Sequence, residues 1–344
     1  MALNAFVSVA SFLVLVLAVA VVAFSARRFV FLVAALLPAR RCARVDTDWP
    51  SLVLVVPARN EAQVLDEMIE ALAQLRYPGD LLTVLVSDGS EDATAEGFAR
   101  FASDRERTLV LDLATAVGKF QAINLAIDAA LRVAPASRLI AVCDADLRPQ
   151  PDCLARLVEP FTDPLVGATA GFLSPANATA TPLARYAALE SWVHQLVTSA
   201  AKDRLDLNPP TLGVSAYRRE ALEQVGWFRC GQAGEDVRIT VALTRAGWHT
   251  RFVPQAVAEN TVVSEWSEYW AQHVRWARNL LATAATPAAP APTVAHPTAT
   301  EPRRTPAPRL RAAMRLELWF LAAGYADRLA FAAILGLALV GWIG

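Results

Sequence analysis

The stretch Arg138-Leu-Ile-Ala-Val-Cys-Asp-Ala-Asp-Leu147 is the one from which the fold is read. Residues 139–143 form an unbroken apolar run of strand length. The run ends in Asp144 and Asp146, two acids with one small residue between them. Two carboxylates held close at a strand end repel unless a cation or strong donors neutralise them. Oxygen ligands at this spacing suit a hard divalent ion, Mg2+ or Mn2+, shared with a phosphate. By itself the pair also fits a plain turn, since Pro149 and Pro151 follow it.

Upstream, strand-like and helix-like segments alternate. Residues 51–58 read as a buried strand. Asn60 is placed to cap a helix whose apolar face is Val64, Met68, Leu72 and Leu75. A strand over 81–87 runs into Asp88-Gly89-Ser90, and a helix follows over 91–101. A strand over 108–113 and a helix over 119–133 complete the series. Such alternation predicts an α/β fold with a mostly parallel, twisted sheet flanked by helices. Ligands in such sheets sit at the carboxyl ends of the strands. Pro57, Arg59, Asn60, Glu61, Asp88, Asp144 and Asp146 all fall at those ends. The chain has no glycine-rich dinucleotide fingerprint and no phosphate-binding P-loop motif, so a metal and basic side chains must hold any phosphate.

Downstream, residues 181–203 read as a helix with Trp192 and Leu196 on one face, and 211–217 as a strand. A helix over 234–247 carries Glu235 and Asp236 in its first turn, and a short strand is expected over 248–253. The helix over 265–281 carries Gln272-His-Val-Arg275-Trp276.

The 344 residues are 55% hydrophobic, too apolar for an ordinary soluble enzyme, and the net charge of −1 argues against a nucleic-acid partner. Four cysteines without paired spacing read as buried thiols, not as a zinc site or disulfide framework. The four histidines share no metal spacing and receive no role.

Residues 2–26 carry no charge and are long enough to span a bilayer. Arg27, Arg28, Arg40, Arg41 and Arg44 follow, which puts the N-terminus outside and the rest in the cytoplasm of a bacterial plasma membrane. Residues 29–37 are too short to span and are expected at the interface. The organisation predicted is a membrane helix and basic segment over 1–48 and a catalytic domain over 49–281, with a nucleotide half to 150 and an acceptor half from 151. An Ala/Pro/Thr-rich linker over 282–311 follows, then an interfacial and a hydrophobic membrane helix over 312–344.

The ordered motifs Pro57-x-x-Asn60-Glu61, Asp88-Gly89-Ser90, Gly118-Lys119, Asp144-x-Asp146, and Gly234-Glu235-Asp236 followed by Gln272-x-x-Arg275-Trp276 carry a resemblance. The chain resembles the family 2 glycosyltransferases of GT-A fold over roughly residues 50–281. It is most similar to the membrane branch of cellulose, hyaluronan and poly-N-acetylglucosamine synthases, with ceramide-type lipid glucosyltransferases as close relatives. The resemblance implies an inverting transfer of a hexose or N-acetylhexosamine from a UDP-sugar. It places Pro57, Asn60, Glu61, Asp88, Lys119 and Asp144 at the donor and Asp146 on Mg2+ or Mn2+. It makes Asp236, beside Glu235, the general base, with Gln272, Arg275 and Trp276 closing the site.

The hydrophobic segments are too few to build a polymer channel, which favours a lipid or lipid-linked acceptor. A processive synthase subunit working with a membrane partner or as a homo-oligomer is the alternative. A non-catalytic nucleotide-sugar-binding homologue is the other. A nucleotidyltransferase also uses Asp-x-Asp, but leaves Gln272, Arg275 and Trp276 unexplained.

Overall fold

The computed structural model describes residues 2–39, 48–211, 213–228, 235–285, 312–323 and 330–336. At its centre is one eight-stranded sheet in the order β3-β2-β1-β4-β7-β6-β8-β5. The strands β1 (Leu52–Ala58), β2 (Leu81–Asp88), β3 (Thr108–Leu113) and β4 (Leu139–Cys143) are parallel neighbours. Next, β7 (Val214–Arg218) runs against β4 and against β6 (Val166–Pro175). Beyond it, β8 (His249–Asn260) is parallel to β6, and the two-residue β5 (Arg148–Pro149) closes the edge against it. The sheet is therefore mostly parallel, as expected.

Side chains alternate across the sheet, and each face buries its own layer of helices. On one side Leu52, Leu54 and Val56 pack with Leu65, Met68 and Leu72 of α2 (Leu65–Gln74) and with Phe98 and Phe101 of α3 (Thr94–Ala102). Leu154 and Leu157 of α5 (Cys153–Val158) extend that core. On the other side Val53 and Val55 meet Phe120, Ile123 and Ile127 of α4 (Lys119–Val133). Leu222 of α8 (Arg219–Val225) and Leu243 of α9 (Glu235–Ala246) complete that layer. A fully buried Leu or Ile of this kind contributes about 1.5–3 kcal/mol.

Four expectations need correction. The helix after β1 begins at Leu65, and Asn60 does not cap it. The short strand over 248–253 is the twelve-residue β8. It passes Pro254 because its pairing with β6 shifts register between Phe252 and Val257, so the missing N–H falls in an irregular stretch. The strand expected from 211 begins only at Val214. Residues 29–37 are not a separate interfacial piece: α1 (Ala2–Ala35) is one continuous helix through Arg27.

The strand β6 lies in the core, yet its Gly and Ala content gives little strand signal. Gly171 is required there by close approach: a Cβ on it would sit 2.5 Å from the Ala256 carbonyl oxygen and 2.7 Å from Val214 Cγ1. Gly171→Ala is expected to destabilise the domain by about 1–3 kcal/mol, because a backbone carbonyl cannot turn aside. A lowered thermal midpoint in detergent, with unchanged expression, would report it.

The stretch expected as one helix over 181–203 is α6 (Pro182–Val193), a π-helical turn (His194–Ser199) and α7 (Ala200–Arg204). Gln195 in the π turn is buried, and its amide pairs with both backbone groups of Leu173 on β6 at 2.7 and 2.8 Å. Phe31 and Ala34 of α1 pack on Ala201 of α7. Further on, α10 (Trp266–Ala285) touches α11 (Ala312–Ala323), which in turn lies on α1 through the Phe24–Phe320 ring pair. A charged triad joins the same elements. Glu317 of α11 accepts from Arg27 of α1 at 2.6 and 2.9 Å and pairs with Lys202 of α7 at 2.9 Å. The hydrophobic membrane helix expected at the end of 312–344 is described only at 330–336, and the linker lies outside the described residues apart from the end of α10.

Candidate active site

The loops after β1, β2 and β3 are stitched into one ledge at the carboxyl edge of the sheet. Asn60 sits at φ +56°, a left-handed conformation that Asn tolerates. Its side-chain oxygen accepts from the Glu91 N–H at 2.9 Å, and its own N–H donates to Ser90 Oγ at 3.2 Å. The Glu61 N–H donates to Thr94 Oγ1 at 2.9 Å and the Ala62 N–H to Asp92 Oδ2 at 3.0 Å. The Asp92 carboxyl is held below its ordinary range, chiefly by the Thr94 hydroxyl. Asp92 and Thr94 were missed from sequence, although the Ser/Asp/Thr-rich run after β2 is a loop-stitching signal.

Asp88 is buried, and its two carboxylate oxygens accept from the Val117 N–H at 2.7 Å and the Gly118 N–H at 2.9 Å. Gly89 stands at φ +60° directly beneath the next loop, where a Cβ would lie 2.3 Å from the Ala116 nitrogen. Asp88 thus holds the segment that launches α4 and its first residue, Lys119.

After β4 the chain turns tightly, with the Leu147 N–H donating to the Asp144 carbonyl at 3.1 Å. Ala145 and Leu147 are buried, whereas Asp144 is half-buried and Asp146 exposed at the ledge. The Lys119 ammonium meets Asp144 Oδ1 at 2.6 Å. Asp146 opens to solvent on one side and is crowded by protein on the others. Its carboxyl is raised above the ordinary range, first by desolvation and then by Asp144. Glu61 is raised likewise, by desolvation and then by Asp146, Asp92 and Asp144. Loops separated in sequence therefore bring their acids into one field of like charge. Arg148 relieves it only slightly, being engaged with Glu67 at 2.8 Å.

This ledge fits a divalent ion in its chemistry. Its donors are hard oxygens, and the acids repel one another in the absence of a cation. Among the described residues no three His, Cys, Asp or Glu side chains converge to cage an ion alone. An ion held by Asp146 would complete its shell with substrate oxygens and water.

Beside Lys119, a small recess is lined by Phe120, Val142, Asp144, Ser215, Tyr217 and Phe228. Asn124 of α4, unnoticed in the sequence, clamps Phe228. It donates to the Phe228 carbonyl at 2.6 Å and accepts from its N–H at 3.3 Å. Asn124→Ala is expected to lower the thermal midpoint by the equivalent of about 1–3 kcal/mol for two lost bonds, with weaker transfer besides.

Glu235 and Asp236 open α9, and their side chains lie outside the described residues. Gln272, Arg275 and Trp276 stand on α10, which touches α9, so the two helices bearing the expected base and site-closing residues are neighbours. Cys143 and Cys153 are buried thiols pushed up by desolvation, Cys153 to about 12, which leaves both inert. Cys42 and Cys230 lie outside the described residues. The Asn177 amide donates to the Val262 carbonyl at 2.7 Å and serves as a loop tie.

The glycosyltransferase like family 2 profile matches residues 50–279. The chain belongs to this glycosyltransferase family. An N-acetylglucosaminyltransferase of Rhizobium leguminosarum bv. viciae is 33% identical over 242 residues, 67% of this chain and 55% of that protein. One from Mesorhizobium japonicum is 32% identical over 243 residues, again 67% of this chain and 56% of its own length. The chain thus spans a little over half the length of these curated relatives. A solved structure of the mannosyltransferase PcManGT from Pyrobaculum calidifontis, in complex with GDP-Man and Mn2+, superposes with a TM-score of 0.70 at 22% identity. That likeness covers 95% of this chain and 86% of the other and shows the shared GT-A fold of this family 2 glycosyltransferase.

Proposed function

We propose that this family 2 glycosyltransferase transfers an N-acetylhexosamine or hexose, with inversion, from a UDP-sugar to a lipid or lipid-linked acceptor at a membrane surface. The observation that carries the reading is the acidic ledge of Glu61, Asp144 and Asp146 beside Lys119, at the carboxyl edge of the parallel strands. Asp146 would hold Mg2+ or Mn2+ against the donor diphosphate. The ion would supply neutralisation of the charge that gathers on the leaving nucleotide. Asp144 fixes the Lys119 ammonium at the same place. Asn60 and Glu61 would face the nucleoside, and Asp88 would act there by holding the 117–118 segment. Asp236 would take the acceptor hydroxyl proton as its oxygen attacks the anomeric carbon. Gln272, Arg275 and Trp276 would close over the sugar and diphosphate, where a guanidinium offers a planar fork of donors.

The N-acetylglucosaminyltransferase relatives support the sugar class, and the neighbour's GDP-Man and Mn2+ support a metal with a nucleotide sugar on this fold. The membrane placement rests on α1, where residues Ser11–Ala35 are long and apolar enough to span and are almost wholly unburied. Exposed apolar side chains continue beside it. Tyr186, Leu189, Val193 and Leu196 stand on α6 and the π turn, Trp266 and Trp270 on α10, and Leu316 and Trp319 on α11. Exposed tryptophans suit the lipid–water boundary. The arginines that follow the apolar segment of α1 support a cytoplasmic transferase domain.

The test is a donor panel with UDP-GlcNAc, UDP-Glc and GDP-Man, Mn2+ or Mg2+, and native membranes, followed by mass analysis of the lipid fraction. A sugar-bearing lipid from a UDP donor is expected. Tight UDP binding without turnover on any donor would instead make the chain a nucleotide-sugar-binding protein, and a ladder of long polymer would make it a synthase subunit.

A further inference from the structure

On α10, Tyr269, His273 and Trp276 fall at i, i+4 and i+7, one face of the helix. Glu190 of α6 reaches that face. Its Oε2 accepts from the Tyr269 hydroxyl at 3.0 Å and lies 3.1 Å from His273 Nε2. The other ring nitrogen of His273 is 2.9 Å from the Tyr269 carbonyl oxygen. The Glu190 carboxylate only accepts, so His273 Nε2–H donates to it, and the ionised acceptor makes that bond charge-assisted, about twice as strong as a neutral one. The Tyr269 hydroxyl stays protonated, since burial and then the Glu190 bond push its pKa up.

The rings stack into a ladder that ends at Trp276, a residue the motif pattern assigns to the site. Trp266 lies parallel to Tyr269 at 5.5 Å, Tyr269 packs on His273 at 4.0 Å, and His273 on Trp276 at 5.0 Å. Tyr186 of α6 adds an edge contact to Tyr269 at 6.0 Å. One carboxylate on a neighbouring helix thus sets the rotation of α10 about its own axis.

We propose that Glu190, acting through His273 and Tyr269, is a positioning residue that aims Trp276 and Arg275 at the transfer site. The proposal deepens the transferase reading above and rests on it for the role of Trp276. Glu190 stands on α6, and the acidic ledge is built from other elements.

The test compares full-length wild type with Glu190→Gln and Glu190→Ala in nanodiscs. It measures kcat and KM for the UDP-sugar, UDP affinity by calorimetry, and amide hydrogen exchange of residues 266–278. Expected for Glu190→Ala are a kcat lowered at least tenfold, UDP affinity within twofold of wild type, and faster exchange confined to α10. Glu190→Gln keeps an acceptor oxygen and is expected to recover part of both losses. Unchanged kcat and unchanged exchange would overturn the proposal. Loss of UDP binding together with faster exchange across the whole domain would also overturn it, making Glu190 a folding residue. If wild type turns over no donor, the transferase reading fails. The exchange arm still decides whether Glu190 holds α10.

Discussion

Asp146→Ala is expected to abolish Mn2+-supported transfer, with kcat/KM down about a thousandfold, the order expected when several kcal/mol of charge stabilisation are lost. The same variant should lose the rise in thermal midpoint that Mn2+ gives the wild type. The sign with pH follows from the raised carboxyl. In the folded, metal-free protein the Asp146 carboxylate is disfavoured by desolvation and by Asp144. That raised group favours the fold at pH below its unfolded value, and the benefit is lost as pH rises through the folded one. A divalent ion reverses the penalty on the carboxylate and competes with the proton. Stabilisation by Mn2+ is therefore expected to be full at neutral pH and to fade on acidification, starting above the usual aspartate range. Asp146→Asn should raise the metal-free stability at neutral pH, because the repulsion is gone, while abolishing the Mn2+ effect. An unchanged Mn2+ shift in either variant would remove Asp146 from the metal site.

Asp236→Asn is expected to lower kcat by about 10²–10⁴-fold, the usual worth of a positioned general base. UDP affinity and the Mn2+-induced midpoint shift should stay at wild-type values, since the substitution keeps size and removes only the basic oxygen. That split separates the base from the ledge: Asp146 variants fail in metal binding, Asp236 variants in turnover alone. Full activity in Asp236→Asn would move the base to another group, with Glu235 the first to examine.

The parallel half of the sheet was legible because β1, β2 and β4 are largely buried and read as plain apolar runs. Residues 108–113, 119–133 and 139–143 are elements on the bounds expected. In the other half, β6 and the end of β8 were hidden. Residues 166–175 drew no strand reading, because β6 is built from small residues for close approach, with Gly171 pressed against the Ala256 carbonyl. Pro254 hid the second half of β8. In the site, a cluster of acids could be read from strand ends, but not which backbone amides they hold. Asn60 looked like a helix cap and is a tie between two loops. Asp88 looked free for a ligand and carries the 117–118 backbone. His273 had no metal partner and so no role, because its partner is Glu190, 83 positions away.

The triad of Arg27, Lys202 and Glu317 has a consequence for the order of assembly during synthesis. Arg27 and Glu317 are 290 positions apart, so the ribosome delivers the cation at the start and its carboxylate near the end. Until α11 emerges, the nascent chain holds Arg27 and Lys202 at one seam without their shared anion. The packing of Phe31 and Ala34 on Ala201 needs no residue of α11, whereas the charged contact can form only once Glu317 arrives. A chain cut before Glu317 would therefore keep the apolar contact between α1 and α7, yet leave Arg27 and Lys202 without their shared carboxylate.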